Sequence, residues 1–287
     1  MSTIANSELI LNSDGSVYHL CLLPTDISET IIFVGDPERV PKITKHFDEI
    51  LISKKNREFV TQTGIYKSKK ISVIATGIGT DNIDIVLNEL DALVNIDLKT
   101  RTIKNEHTAL NIIRIGTSGA LQADIPIDSF LVSEYAIGLD GLLHFYEYTN
   151  DDDLQLNDAV QDTAKVQCYT AKASTKLIDA LADDILNGIT LTASGFYAPQ
   201  GRKLRLSPKQ PNFIDDLSSK VFANNRKITN FEMETSAIYG LGKMLGHHCI
   251  SFNAILANRV LGQFSNQHEE TVELLIDKIL NRIANNL

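Results

Sequence analysis

The sequence has no excess of positive charge. Its 287 residues carry 27 Lys and Arg against 36 Asp and Glu, a formal net charge of -9. An acidic surface repels polyanions, which argues against nucleic acid and anionic membranes as partners. It does not exclude a small anionic ligand, because a local cluster of arginines overrides the global field. Cysteine is scarce: Cys21, Cys168 and Cys249 are far apart, odd in number and form no CxxC pair. A disulfide framework is therefore not expected, and a reducing compartment is. No apolar run reaches the ~18 residues that a membrane-spanning helix needs. The N-terminal stretch MSTIANSELILNSDGS lacks the basic and apolar regions of a signal peptide. Together these features predict a cytoplasmic protein. No Pro- or Ser-rich linker divides the chain, so a single domain over residues 1–287 is expected. Metal and nucleophile signatures are missing as well. The seven histidines form no HExxH and no zinc spacing, and His247 and His248 are simply adjacent. There is no GxSxG, and GLGKML places Met where a phosphate-binding loop needs Ser or Thr.

What is present is an alternation of strand-like and helix-like segments. ETIIFVG, ISVIATG, LNIIRIG and DSFLVSEYAIG are short, rich in Ile and Val, and each runs up to a glycine. Amphipathic patterns predict helices over Ile83 to Val94, Thr175 to Leu186, Thr235 to Leu245 and Thr271 to Ile283. Strands alternating with helices imply an α/β sheet covered on both faces. Ligands in such sheets gather at the carboxyl ends of strands, where the glycines cluster here. The segment TNDDDLQLND, Thr149 to Asp158, reads as a solvated acidic loop, with cation binding as the other reading.

Five motifs carry chemistry. In IIFVGDPERV, a strand ends at Gly35 and Arg39 opens a helix, a geometry that suits an anion and also suits an ordinary strand-turn-helix connection. In NIIRIGTSGAL, Arg114 lies within an apolar strand, where an unpaired guanidinium is costly. A carboxylate or phosphate partner is expected, and GTSG reads as a tight turn bearing the hydroxyls of Thr117 and Ser118. VIATGIGTDNIDIVLNEL lacks the third glycine of a dinucleotide fingerprint, leaving a strand-to-helix turn with Asp81 or Asn82 near the helix start. SGFYAPQGRKLRL offers Phe196 and Tyr197 as flat faces, with Gln200 and Arg202 as polar readers of a planar heterocycle. A Pro-containing surface turn would look the same in isolation. Finally, NFEMETSAIYGLGKML places Glu232 and Glu234 around Met233 at a helix start. One acid there complements the helix dipole; two call for nearby cations.

In their order along the chain, VYHL, GDPERV, NREF, ATGIG, RIGTSGAL, DGLLHF, GFYAPQGR, NFEMET and ANRV resemble the nucleoside phosphorylase family, and within it the uridine-cleaving members. The likeness runs from about Val17 to the C-terminus, with residues 1–16 as an N-terminal extension. It implies a three-layer α/β/α sandwich around a central mixed twisted sheet, and phosphorolysis of uridine to uracil and ribose 1-phosphate. By that resemblance Gly35, Arg39, Arg114 and Thr117 form a phosphate site, joined by Arg57 from a neighbouring subunit. His19 of a neighbour, with Glu232, Met233 and Glu234, would hold the ribose. Ser118, Gly119, Phe196, Gln200, Arg202 and Arg259 would form the base pocket. The resemblance implies no cofactor, inorganic phosphate as co-substrate, and a homo-oligomer of at least two subunits, commonly a hexamer built as a trimer of dimers.

Several positions depart from the family pattern. GIGTDN stands where GIGGPS is frequent, and Asn82 replaces a serine that joins the equivalents of Glu58 and Ile78 in a monovalent-cation site, so no metal is assigned. FYAPQGR stands in place of FYPGQER. Asn258-Arg259 occupies the region where purine-specific relatives carry an aspartate, which favours a pyrimidine. Three other readings compete: a phosphorylase for thymidine, deoxyuridine or a purine nucleoside; a nucleosidase using water; and a nucleoside-binding protein without activity.

Overall fold

The computed structural model describes residues 3–150, 153–222 and 225–287. Strand β1 (Thr30–Val34) leads into α1 (Arg39–Thr44). The hairpin of β2 (Glu49–Asn56) and β3 (Phe59–Tyr66) continues into β4 (Lys69–Ala75) and α2 (Thr80–Asn95). Two short strands, β5 (Ile96–Asp97) and β6 (Thr102–Ile103), precede the long β7 (Asn111–Ala120) and β8 (Phe130–Gly138). Next come α3 (Leu154–Ala164), β9 (Tyr169–Lys172), α4 (Thr175–Leu181) and β10 (Leu186–Thr192). The chain closes with α5 (Phe213–Ser218), β11 (Ile228–Glu232), α6 (Thr235–Met244), β12 (His248–Asn258), β13 (Gln263–Phe264) and α7 (His268–Asn286).

Eleven strands form one mixed sheet in the order β13-β12-β8-β10-β11-β7-β1-β4-β3-β2, with β9 added on β8. Strand β12 pairs with β8 and also, in parallel, with β7. Consequently β7, β12, β8, β10 and β11 close into a ring, and β1, β4, β3 and β2 extend from β7 as an open wing.

The two-residue period of β1 divides the layers. Ile31 and Phe33 join the apolar cluster of α2 and α6, while Ile32 and Val34 join that of α1, α4 and α7. A third cluster packs Leu156 and Val160 of α3 and Leu217 of α5 on Leu191 and Phe231. The expected stripe on α2, Ile83, Val86, Leu87, Leu90 and Leu93, is fully buried. The architecture is the α/β/α sandwich around a mixed sheet that the sequence implied.

Three local expectations change. Thr117 to Ala120 continue β7 as strand rather than turning, because β12 pairs with Thr117–Ala120 on one side and β11 with Gly119–Ala120 on the other. Tertiary pairing outweighs the turn preference of GTSG. Helix α4 ends at Leu181 instead of Leu186, since Asp184 takes a left-handed conformation (φ 58°) and Leu186 opens β10. In the acidic segment, residues 151–152 lie outside the described residues. Asp153 caps α3 by accepting from the Leu156 N–H at 3.0 Å and pairs with Arg226 at 2.7 Å, so the segment's second half is helix rather than loop. His247 immediately precedes β12 and is buried, while His248 opens the strand half-buried. At the other end, Arg101 ties down the N-terminal stretch through the carbonyls of Ile4, Ala5 and Leu9.

Candidate active site

A cavity of about 650 Å³ opens at the carboxyl ends of β1, β4 and β11 and along the second half of β7. Burial of apolar strands sets this place: where β1 and β4 end, Gly35 and Gly77 come together, and a Cβ on Gly35 would meet the Gly77 carbonyl at 3.4 Å. The lining brings together Gly35, Arg39, Arg114 and Thr117 from the first two motifs. It also contains Ser118 and Gly119, then Phe196, Gln200 and Arg202, and finally Glu232, Met233 and Glu234.

The acid pair and Arg114 form the electrostatic centre. Arg114, 5% exposed, places Nη2 2.6 Å from Glu234 and 3.2 Å from Glu232. Its Nη1 donates to the Asn253 side-chain oxygen at 3.0 Å and to the Ser251 hydroxyl at 3.4 Å. Burial alone would lower the Arg114 pKa, but the two carboxylates more than offset it and hold the guanidinium above its ordinary value. Arg39 donates to the Ile115 carbonyl at 3.3 Å, and burial followed by repulsion from Arg114 pulls its pKa down. A guanidinium whose charged state is disfavoured by burial and by its neighbour makes the Arg39–Arg114 pair suited to an anion.

The two glutamates differ in what they have left to offer. Glu232 accepts from the backbone N–H groups of Glu234 and Thr235 and from the hydroxyls of Thr192 and Thr235, at 2.6–3.1 Å. Its lone pairs are spent on the first turn of α6. Glu234 accepts from the Gly79 N–H at 2.9 Å and from Arg114, and nothing else among the described residues is bonded to its oxygens. Burial raises the Glu234 pKa, Arg114 partly counteracts this, and the Glu232 charge raises it further. One guanidinium shared by two carboxylates cannot neutralise both.

Around the planar-ring motif, Gln200 is 2% exposed while Phe196 and Tyr197 are half exposed. The Arg202 guanidinium lies over the Phe196 ring, 3.7 Å from its centroid. It donates to the Gln200 side-chain oxygen and the Phe196 carbonyl, both at 2.6 Å. Burial, with Arg259 nearby, pulls the Arg202 pKa down to about 10. Arg259 is outside the lining, but its Cγ would be 3.4 Å from a Cβ on Gly119, and its Nη1 is buried without a hydrogen-bond partner. Its pKa is lowered by burial. Two desolvated cations flank this part of the site.

His19 and Arg57 do not line this cavity. His19 Nδ1 lies 2.7 Å from the Glu89 carboxylate, which also accepts from the His19 and Leu20 backbone N–H groups. The Nδ1–H is thereby committed to Glu89, and Nε2 has no hydrogen-bond partner among the described residues. Asn56 donates to the His19 carbonyl at 2.8 Å, and Arg57 follows it in a left-handed conformation (φ 54°) at the tip of the β2–β3 hairpin. The two are presented together as one surface unit. Glu58, Ile78 and Asn82 do line the cavity, with the Asn82 amide 3.5 Å from the Ile78 carbonyl.

Among the described residues, two other clusters have metal-like spacing. In Asp91–His107–His247, His247 Nδ1 accepts the Leu110 N–H at 3.2 Å, so Nε2 carries a proton rather than the lone pair a metal needs. In His46–Glu273–Asp277, Lys45 already sits 2.5 Å from Glu273.

Sequence reasoning passed over Asn253, Ser251, Thr192 and Thr235, which hold Arg114 and Glu232. The signal was there: a polar side chain within an apolar strand run, as in ISFNAIL, has to find a partner when buried. Gly116 was read only as a strand end. A Cβ at Gly116 would stand 2.0 Å from Arg114 Nη1 and 2.4 Å from its Cζ. Because four side chains pin that guanidinium, it cannot swing away. Gly116→Ala is therefore expected to leave the fold intact by circular dichroism and to raise the KM for phosphate on the order of tenfold or more. A phosphate KM equal to wild type would contradict this.

Comparison with known proteins identifies the family. The family model of the phosphorylase superfamily matches residues 29–285. The uridine phosphorylase of Thermococcus kodakarensis is 31% identical over 274 residues, covering 94% of this chain and 88% of that protein. The uridine phosphorylase of Haemophilus influenzae is 26% identical, covering 88% and 90% respectively. Among solved structures, a Trypanosoma brucei nucleoside phosphorylase described as showing uridine phosphorylase activity superposes with a TM-score of 0.87 at 31% identity. That superposition covers 96% of this chain and 98% of the other. A family-model match over nearly the whole length makes this chain a member of the phosphorylase superfamily.

Proposed function

We propose that the protein catalyses the reversible phosphorolysis of uridine to uracil and ribose 1-phosphate, as a pentosyltransferase of pyrimidine nucleoside salvage in the cytoplasm. The observation that carries this reading is the composition of one cavity, in which the Arg39–Arg114 pair, the Glu232–Met233–Glu234 element and the Phe196–Gln200–Arg202 group share a lining. An anion, a polyhydroxyl sugar and a planar heterocycle are the three parts such a lining suits.

In this mechanism Gly35, Arg39, Arg114 and Thr117 bind phosphate, completed by Arg57 from a neighbouring subunit. Phosphate attacks C1′ while the bond to the base breaks, and positive charge develops on the ribose between two anions. The protein forms no covalent bond; it orients the reactants and stabilises separated charge. Glu234 accepts from the sugar hydroxyls, Met233 packs on the ribose, and Glu232 anchors the element to α6. His19 of the neighbour offers Nε2 to the 5′-hydroxyl. Gln200, Arg202 and Arg259 stabilise charge on the departing uracil, against the Phe196 ring and the strand segment Ser118–Gly119. The assembly is a homo-oligomer of at least two subunits, and a trimer of dimers follows from the family resemblance. No cofactor is required, phosphate being the co-substrate.

The test is uracil release from uridine by the purified protein, with and without phosphate. Strictly phosphate-dependent release, with ribose 1-phosphate as co-product, is the expected result. Release that ignores phosphate would make the protein a nucleosidase and remove the roles given to the arginines. Activity confined to thymidine or purine nucleosides would reassign the base pocket.

A further inference from the structure

A chain of buried hydrogen bonds visits every strand of the closed ring. Arg114 Nη1 on β7 donates to Asn253 Oδ1 on β12 at 3.0 Å, and Asn253 Nδ2 donates to Ser133 Oγ on β8 at 3.1 Å. Ser133 Oγ and Thr190 Oγ1 on β10 are 2.6 Å apart, and Thr190 Oγ1 donates to Asn230 Oδ1 on β11 at 2.8 Å. Asn230 Nδ2 then donates to Ser118 Oγ, back on β7, at 2.9 Å. Ser133, Thr190, Asn230 and Asn253 are 0% exposed.

The chain has a direction, set at one end by Arg114 and at the other by Asn230, whose Oδ1 faces Thr190 and Thr229. A guanidinium only donates. Asn253 must therefore turn its oxygen to Arg114 and its amide to Ser133. Asn230 Oδ1 takes the Thr190 proton and also accepts from Thr229 at 2.8 Å, so Ser133, which accepts from Asn253, is left to donate to Thr190. Asn230 is left with its amide towards Ser118. Ser118 accepts that bond, so its hydroxyl proton is uncommitted; among the described residues it has no protein acceptor, and Ser118 lines the cavity.

We propose that Asn253, Ser133, Thr190 and Asn230 are positioning residues that close a directed hydrogen-bond ring between Arg114 and Ser118 and fix Ser118 as a hydrogen-bond donor to the base. The acceptor is a carbonyl oxygen of the leaving base, which gains negative charge as the glycosidic bond breaks. A preorganised donor is worth more to that oxygen in the transition state than in the ground state. A Ser118 proton drawn back into the protein would present lone pairs instead. This inference rests on the phosphorolysis reading above.

Thr190→Val removes the hydroxyl at nearly constant volume. It is expected to lower kcat for uridine on the order of tenfold, with the KM for phosphate unchanged. Thr190→Ser restores the hydroxyl and should restore kcat. In a Ser118→Ala background, Thr190→Val should cause no further loss of kcat, because the relay then has nothing to orient. Should Thr190→Val fail to fold, Ser133→Ala breaks the preceding link and is read in the same way. Additive losses, or a lower melting temperature with kcat intact, would overturn the relay. Wild-type protein is assayed in parallel: if it releases no uracil, the function reading falls and the relay with it, whereas an active wild type with additive variants sinks the relay alone.

Discussion

Replacing Arg114 with methionine is expected to destabilise the fold by about 3–5 kcal/mol and to abolish measurable phosphorolysis. Methionine fills much of the volume but leaves Glu232 and Glu234, 4% and 5% exposed, without the cation they share. The oxygen of Asn253 also loses its charged donor. The loss reports an uncompensated buried charge rather than the worth of the ion pair, and this gives the test a second arm. Adding Glu234→Gln to Arg114→Met should recover a large part of the stability and none of the activity. Urea denaturation of the single and double variants measures both. A single variant as stable as wild type would mean that the carboxylates neutralise themselves by taking up protons, and that Arg114 serves binding only.

Glu234→Gln alone should lower kcat/KM on the order of 10²–10³-fold, with the fold retained. The glutamine still accepts from Gly79 and Arg114 but offers the sugar hydroxyls no anion while positive charge builds on the ribose. The pH dependence carries a sign that can be checked. Burial, then the Glu232 charge, raise the folded Glu234 pKa despite Arg114, whereas the unfolded chain titrates near about 4.3. Between those two values the folded state binds the extra proton, so this group's contribution to stability falls as pH rises through the folded pKa. Below the unfolded value the penalty vanishes. Glu234→Gln should therefore gain stability relative to wild type at neutral pH and not at pH 4. The acidic limb of wild-type kcat/KM should lie above the ordinary glutamate range. A limb at or below it would mean that Arg114 dominates the pair.

Much of the site was legible residue by residue. Arg114 stood out because a guanidinium inside NIIRIG has to be paired, and the two acids of NFEMET stood out because they lacked a cation; the structure joins these two incomplete halves at 2.6 Å. The α2 stripe and the β1 alternation were plain because periodicity is a local property. The hydrophobic pattern could not show that GTSG stays in strand, since that depends on two flanking partners from β11 and β12. Nor could spacing reveal that Glu232 and Glu234, two residues apart, have unequal fates. One is saturated by Thr192, Thr235 and the start of α6; the other accepts a single bond at each oxygen and keeps lone pairs to offer.

By itself the sequence determined the alternation of strands and helices, the place of the glycines at strand ends, the motif order that marks the superfamily, and the need of each buried charge for a partner. Those follow from side-chain period, backbone permissiveness and the cost of burying charge, all of which act within a few residues. Tertiary structure alone decided which partner each charge receives. Arg114 meets Glu234 across 120 positions and Asn253 across 139, and the Gly79 amide meets Glu234 across 155. Hydrogen bonds require separations near 3 Å, and only the closing of β7 against β12 and β11 brings residues so distant in sequence within that reach.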